Sequence, residues 1–353
     1  PKNALDRRNL VLDRMAQNNK ITAAEAEILK KTPIKLNYKK LDQNEGIAPY
    51  FRENVLKEEV KKLLKDKTKP NGKPYDIYRD GLKIYTTINP KIQQYGEDAV
   101  ATNIANQQRA QNGLNSYRAA GLWKKHANKL EDYIKQSDRW RNQKEDSLSD
   151  EANRKTFDVS VKMKVFAWNA AREKDTIMTP LDSIKYHRQL LQSGFLAMDP
   201  TSGAVKAWVG GINYKTFKFD HANLRATRQV GSTIKPMLYC QAVEEMGFTP
   251  ETPCLNEAQL FPGFGMVPAK GGGSGGYEPM WHALALSHNG VAAWLMKQIG
   301  SIRFVEFLTK CNVQNKVPTV PSICLGSCDL SLFEMMWMYT MFPGRGFSTK
   351  PQF

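Results

Sequence analysis

Gly231-Ser232-Thr233-Ile234-Lys235-Pro236 sets a serine three residues ahead of a lysine, and Ser287-His288-Asn289 follows about fifty residues later. On a helix, positions i and i+3 share a face, so a neutral Lys235 amine would take the Ser232 hydroxyl proton and make that oxygen a nucleophile. The second motif adds a hydroxyl and an amide around the same centre. Serine and lysine are common residues, so the spacing alone carries little, and the surroundings decide. Gly231 frees the backbone for a sharp entry into a helix opening at Ser232. Pro236 is tolerated only near that helix's first turn, where a missing amide donor costs little. The serine therefore stands at a helix N-terminus, where free amides and the dipole favour developing negative charge.

Upstream, Ala197 to Gly210 reads as two strands around a Pro200-Thr201-Ser202-Gly203 turn. Gly81-Leu82-Lys83-Ile84-Tyr85-Thr86-Thr87-Ile88 alternates as a half-buried strand. These stretches, with S-x-x-K at Ser232 and S-x-N at Ser287, resemble the class A penicillin-binding proteins, bifunctional peptidoglycan synthases of the penicillin-recognising serine acyltransferase superfamily. The opening, Arg7 to Met15 and Ile21 to Glu25, resembles the end of that family's glycosyltransferase domain. The resemblance covers almost the whole chain and is patchy between residues 100 and 170.

It implies an α+β fold of the penicillin-binding transpeptidase and serine beta-lactamase type, an antiparallel sheet with helices, truncated and preceded by a mainly helical linker region. The expected domains are 1–40, the tail of a glycosyltransferase domain; 41–185, a linker region with a strand at 81–88 and a polar helical insertion; and 186–353, a transpeptidase domain incomplete at its C-terminus. The implied reaction is D,D-transpeptidation through a serine acyl-enzyme, crosslinking stem peptides with release of D-alanine. The protein would also polymerise glycan from a lipid-linked precursor and be covalently inhibited by beta-lactams. Ser232 is the expected nucleophile and Lys235 its base; Ser287 relays a proton and Asn289 holds the substrate amide. The same fold allows hydrolysis, as in a carboxypeptidase or beta-lactamase, and a non-catalytic beta-lactam sensor is a further alternative.

The family's third motif, K-[ST]-G, is absent from the 353 residues: Lys215-Thr216-Phe217 lacks the glycine and Ser348-Thr349-Lys350 has the wrong order. The expectation is a chain that stops before that strand and alone acylates poorly or not at all.

A net charge of +16 and a pI near 9.5 suit anionic partners. The resemblance directs that charge to acidic lipid headgroups and a pyrophosphate-linked precursor. No zinc pattern, RNA-binding signature or basic helix with interleaved aromatics points to nucleic acid. No segment reaches the length of a membrane span, and Pro1-Lys2-Asn3 is not a natural start, so the absence says nothing about export; the resemblance implies an address at the extracytoplasmic face of a bacterial membrane, anchored by a segment outside this chain. No cofactor is expected. The five cysteines form no metal-spaced pattern, and most read as buried thiols, with a bridge from Cys311 to Cys324 or Cys328 as the alternative in an oxidising compartment.

Two helices are expected over 5–31, the second with a Thr22/Glu25 capping box. Another covers 48–66, and a long polar helix follows the 81–88 strand. Trp123 and Trp140 stand as isolated anchors in the polar 107–149 stretch, where indole faces suit either helix packing or a sugar. Strands are expected within 157–168, apolar helices from Gly290 to Ile299 and from Ser331 to Phe342, and the glycines of 271–276 read as a loose loop.

Overall fold

The computed structural model describes residues 2–34, 46–114 and 122–353, so the expected boundary at residue 40 lies outside the described residues. The chain forms two compact units, Pro1–Glu45 and Gly46–Phe353. The first is a helical hairpin of α1 (Lys2–Gln17) and α2 (Ala23–Lys31). The capping box is present: Thr22 accepts from the Glu25 amide and Glu25 from the Thr22 amide. Arg8 closes the other end of α2, donating to the carbonyls of Lys30 and Thr32 at 2.8 and 2.6 Å, where a cation also suits the helix dipole.

The second unit mixes helices with short antiparallel strand pairs. A π-helical turn, Phe51–Leu56, runs into α3 (Lys57–Leu64), and α4 spans Pro90–Gly113. Helices α5 (Ala127–Gln136), α6 (Asp138–Glu145) and α7 (Asp150–Lys155) follow. Trp140 is buried against Phe157 and Ile134. The indole thus packs inside this helical cluster, which settles its place as core rather than an open sugar platform.

Strands β1 (Val161–Phe166) and β2 (Glu173–Met178) pair antiparallel and lead into α8 (Pro180–Arg188). β3 (Phe195–Met198) and β4 (Val205–Val209) form the expected hairpin. Gln93 of α4 flanks β4: its amide donates to the Trp208 carbonyl at 3.0 Å and accepts from the Trp208 amide at 2.7 Å. A buried side chain there satisfies strand groups that would otherwise be orphaned.

The segment Gly81–Ile88 forms no strand, which corrects the expectation of one at 81–88. Alternation fixes which side chains suit burial, but a strand exists only where a neighbour completes the ladder. Here the links to β4 are side chain or terminal: Thr87 Oγ1 donates to the Val205 carbonyl, and the Asn89 amide donates to that of Lys206. Tyr85 stays 88% exposed.

Beyond a pairing of β5 (Thr227–Gln229), a 3₁₀ turn over Gly231–Ile234 enters α9 (Lys235–Met246). Then come β6 (Pro253–Leu255), the hairpin of β7 (Gln259–Phe261) and β8 (Gly265–Val267), and β9 (Tyr277–Pro279), which pairs with β6. α10 (Met280–Ala285), α11 (Asn289–Ile299) and α12 (Ser301–Lys310) precede β10 (Asp329–Ser331), which pairs with β5, and α13 (Leu332–Tyr339). The largest apolar core gathers α9, α11 and α12 around Leu238, Leu295, Met296 and Leu308. All five cysteines are free thiols, and Cys311, Cys324 and Cys328 are buried, so the bridge considered from sequence does not form. Within the 271–276 loop Gly272 and Gly273 are tightly placed, since a Cβ would lie 2.7 Å from Ala258 Cβ and 2.1 Å from Asn256 Oδ1 respectively, whereas Gly271 and Gly276 face open space.

Candidate active site

Gly231 takes φ +55°, as the sharp entry demands, and its amide donates to the carbonyl of Gly326 at 3.2 Å. Gly326 has φ +77°, and a Cβ there would sit 1.9 Å from the Gly231 carbonyl oxygen. Sequence reading passed over Gly326, because its partner lies about a hundred residues away along the chain. The pairing of β5 with β10 and this contact together seat the turn that carries Ser232.

Ser232 lies in the 3₁₀ turn, so the α-helix proper begins three residues later than the sequence suggests. The i,i+3 relation to Lys235 survives, because such residues eclipse on a 3₁₀ turn. Ser232 is exposed, and among the described residues neither its hydroxyl nor its amide has a hydrogen-bond partner. Both groups are free to engage a substrate carbonyl.

Lys235 is buried at 1% exposure. Its Nζ donates to the Ser287 carbonyl at 2.6 Å, to Ser287 Oγ at 3.0 Å and to Asn289 Oδ1 at 2.7 Å. An ammonium has three donors, and these three oxygens use them all. Burial pushes the amine below the usual lysine value. Burial in turn pushes the Cys324 thiol up to about 12, which keeps it protonated. A neutral amine would keep two donors and gain a lone pair. Ser287 Oγ, at the longest of the three contacts, can then reverse its role and donate to Nζ. The chemistry this permits is a proton path between Lys235 and Ser287.

Ser287 owes its position to the end of α10. Its amide donates to Leu284 and that of His288 to Ala283, at 3.0 and 2.9 Å, the two bonds of a Schellman motif. Ser287 occupies the left-handed position at φ +57°, where glycine is the usual residue. Asn289 is the first residue of α11. The four residues singled out from sequence therefore divide: Lys235, Ser287 and Asn289 are joined by hydrogen bonds, while Ser232 stands one 3₁₀ turn away with its oxygen unpaired.

A family model described as "Penicillin-binding protein middle domain" matches residues 118–191. Over 99% of its length the chain is 25% identical to penicillin-binding protein 1A of Vibrio cholerae, covering 46% of that protein. It is 26% identical to penicillin-binding protein 1A of Escherichia coli, over 99% of this chain and 44% of that one. Penicillin-binding protein 2D of Bacillus subtilis is 25% identical, over 99% of this chain and 38% of that one. The chain thus spans less than half the length of these relatives. The crystal structure of penicillin-binding protein 1A from Haemophilus influenzae superposes with a TM-score of 0.63 at 21% identity, covering 99% of this chain and 53% of that one, which shows a shared fold. Over nearly its whole length, then, the chain is similar in sequence to class A penicillin-binding proteins and shares the fold of one of them.

Proposed function

We propose that this protein acts in peptidoglycan synthesis as a serine D,D-transpeptidase and binds beta-lactams at the same serine. The observation that carries the reading is the buried Lys235 amine holding Ser287 O, Ser287 Oγ and Asn289 Oδ1, one 3₁₀ turn from an exposed, unpaired Ser232 hydroxyl. In the first step Ser232 Oγ bonds to the carbonyl carbon of a D-Ala-D-Ala stem peptide. Its proton passes to the neutral amine of Lys235 and, through Ser287, to the departing nitrogen as the peptide C–N bond breaks and D-alanine leaves. The free Ser232 amide donates to the oxyanion, and Asn289, while bound to Lys235, presents its NH2 to the substrate amide. A second amine then attacks the ester, and Ser232 regains its proton as the crosslink forms.

The relatives' names support penicillin binding, and their greater length suits a second activity, glycan polymerisation from a lipid-linked precursor. We assign residues 1–40 to the tail of that polymerising domain, 41–185 to the linker region and 186–353 to the transpeptidase. Among the described residues no helix is long and apolar enough to cross a membrane, and the proposed address at the extracytoplasmic face follows from the family alone. Ser232→Ala in the full-length protein tests the reading. Crosslinking of a lipid-linked peptide substrate, followed by product analysis, is expected to fall at least a hundredfold. Crosslinking that survives the substitution would refute it.

A further inference from the structure

Behind the Ser287 turn lies a cluster that the mechanism does not use. Glu278, on β9, has Oε1 2.6 Å from His288 Nδ1 and Oε2 2.6 Å from His282 Nδ1. Its carboxylate thus bridges the residue between Ser287 and Asn289 to a second imidazole on α10. Burial alone would raise the Glu278 carboxyl, but the hydrogen bonds and charges of the two histidines hold it below the ordinary carboxylate range. An ionised carboxylate only accepts, so both imidazoles present Nδ1–H to it.

That tautomer settles the orientation of Asn256. With its nitrogen toward the ring, the Asn256 amide would point a donor at His288 Nδ1, 3.1 Å away, and leave Oδ1 buried without a partner. Turning the amide over gives Nδ1–H a second acceptor. His288 is then held from two sides, by Glu278 and by Asn256. The other titratable groups facing Glu278 are Cys254, its register partner on β6, and Tyr239 of α9.

A serine in the left-handed region persists only where its surroundings over-determine it. The two Schellman bonds fix the backbone up to His288, and the His288 side chain is the next point of restraint along the chain. We infer that Glu278 is a positioning residue for acyl transfer: through His288 it locks the Ser287–Asn289 turn so that Ser287 O, Ser287 Oγ and Asn289 Oδ1 converge on Lys235. This inference rests on the acyl-transfer reading and adds to it a residue that touches neither substrate nor Ser232.

The test is the acylation of the full-length protein by a fluorescent penicillin, resolved into the dissociation constant of the initial complex and the acylation rate constant. Glu278→Gln and His288→Leu are expected to lower the rate constant at least tenfold. The dissociation constant should stay within twofold and the final labelled fraction should not change. His288→Gln, whose amide can still donate to Glu278, is expected to return to within threefold of the parent. A loss seen only in the labelled fraction would mean that the variants misfold, and would overturn the inference. So would an unchanged rate constant in Glu278→Gln and His288→Leu, or a His288→Gln as slow as His288→Leu. Each of these leaves the acyl-transfer reading standing. An unlabelled parent, or labelling that survives Ser232→Ala, overturns that reading and this inference with it.

Discussion

Lys235 and Ser287 each hold a position that costs the fold something. An amine in an apolar core is destabilised as an ammonium, and Lys235 sits below the usual 10.5 for that reason. Burial thus shifts the balance toward the neutral amine relative to a solvated lysine. Acylation by penicillin is therefore expected to rise with pH through a midpoint below 10.5. A pH–rate profile of the acylation constant reads this directly, and a rate that is still climbing at an unshifted lysine value would contradict it. Ser287 carries a side chain where the backbone favours glycine, a preference worth about 1 kcal/mol. Ser287→Gly should leave stability unchanged or raise it by up to ~1 kcal/mol, read as an unchanged or higher melting temperature. The same substitution removes the hydroxyl from Lys235, and acylation should fall by a factor on the order of a hundred. A stable variant with full activity would show that Ser287 Oγ has no part in the proton path.

At the scale of elements, some signals were plain in the sequence and others were hidden by a stronger pattern. The Thr22/Glu25 capping box was legible because both ends of the motif face a polar start. Ser331 and Glu334 form the same motif at the start of α13, yet the apolar run around them drew the reading toward core. Glu334 is 1% exposed and accepts from the amides of Gln314, Asn315 and Ser331, from Asn315 Nδ2 and from Ser331 Oγ. Burial raises its carboxyl, but these donors outweigh it and hold the group below its usual 4.5. A depressed carboxylate contributes stability above the unfolded value that is lost as pH falls through the folded one. Glu334→Gln should therefore cost about 2–4 kcal/mol at neutral pH and less at acid pH, so that parent and variant converge below 4.5 in denaturant melts. Curves that stay parallel throughout would mean that Glu334 is not ionised in the fold. The 81–88 stretch failed for the opposite reason: its alternation is real, but pairing depends on a neighbour that no local pattern names.

Across the whole molecule, what was legible was the order of motifs and the faces of helices, and what was not was contact between distant segments. Ser232, Lys235, Ser287 and Asn289 stood out because their residue types fall at short, regular spacings within two local motifs, and the fold joins Lys235, Ser287 and Asn289 by hydrogen bonds. Gly326 beneath Gly231 and Glu278 behind His288 follow no spacing rule, since the fold alone brings them together. The same holds for Gln93 against β4. The central claim is that Ser232 is the acylated nucleophile, and mass spectrometry of the penicillin-treated full-length protein tests it most directly. The account predicts one adduct per molecule, on the peptide that carries Ser232, absent in Ser232→Ala. An adduct on any other residue, or one that persists in Ser232→Ala, would contradict it.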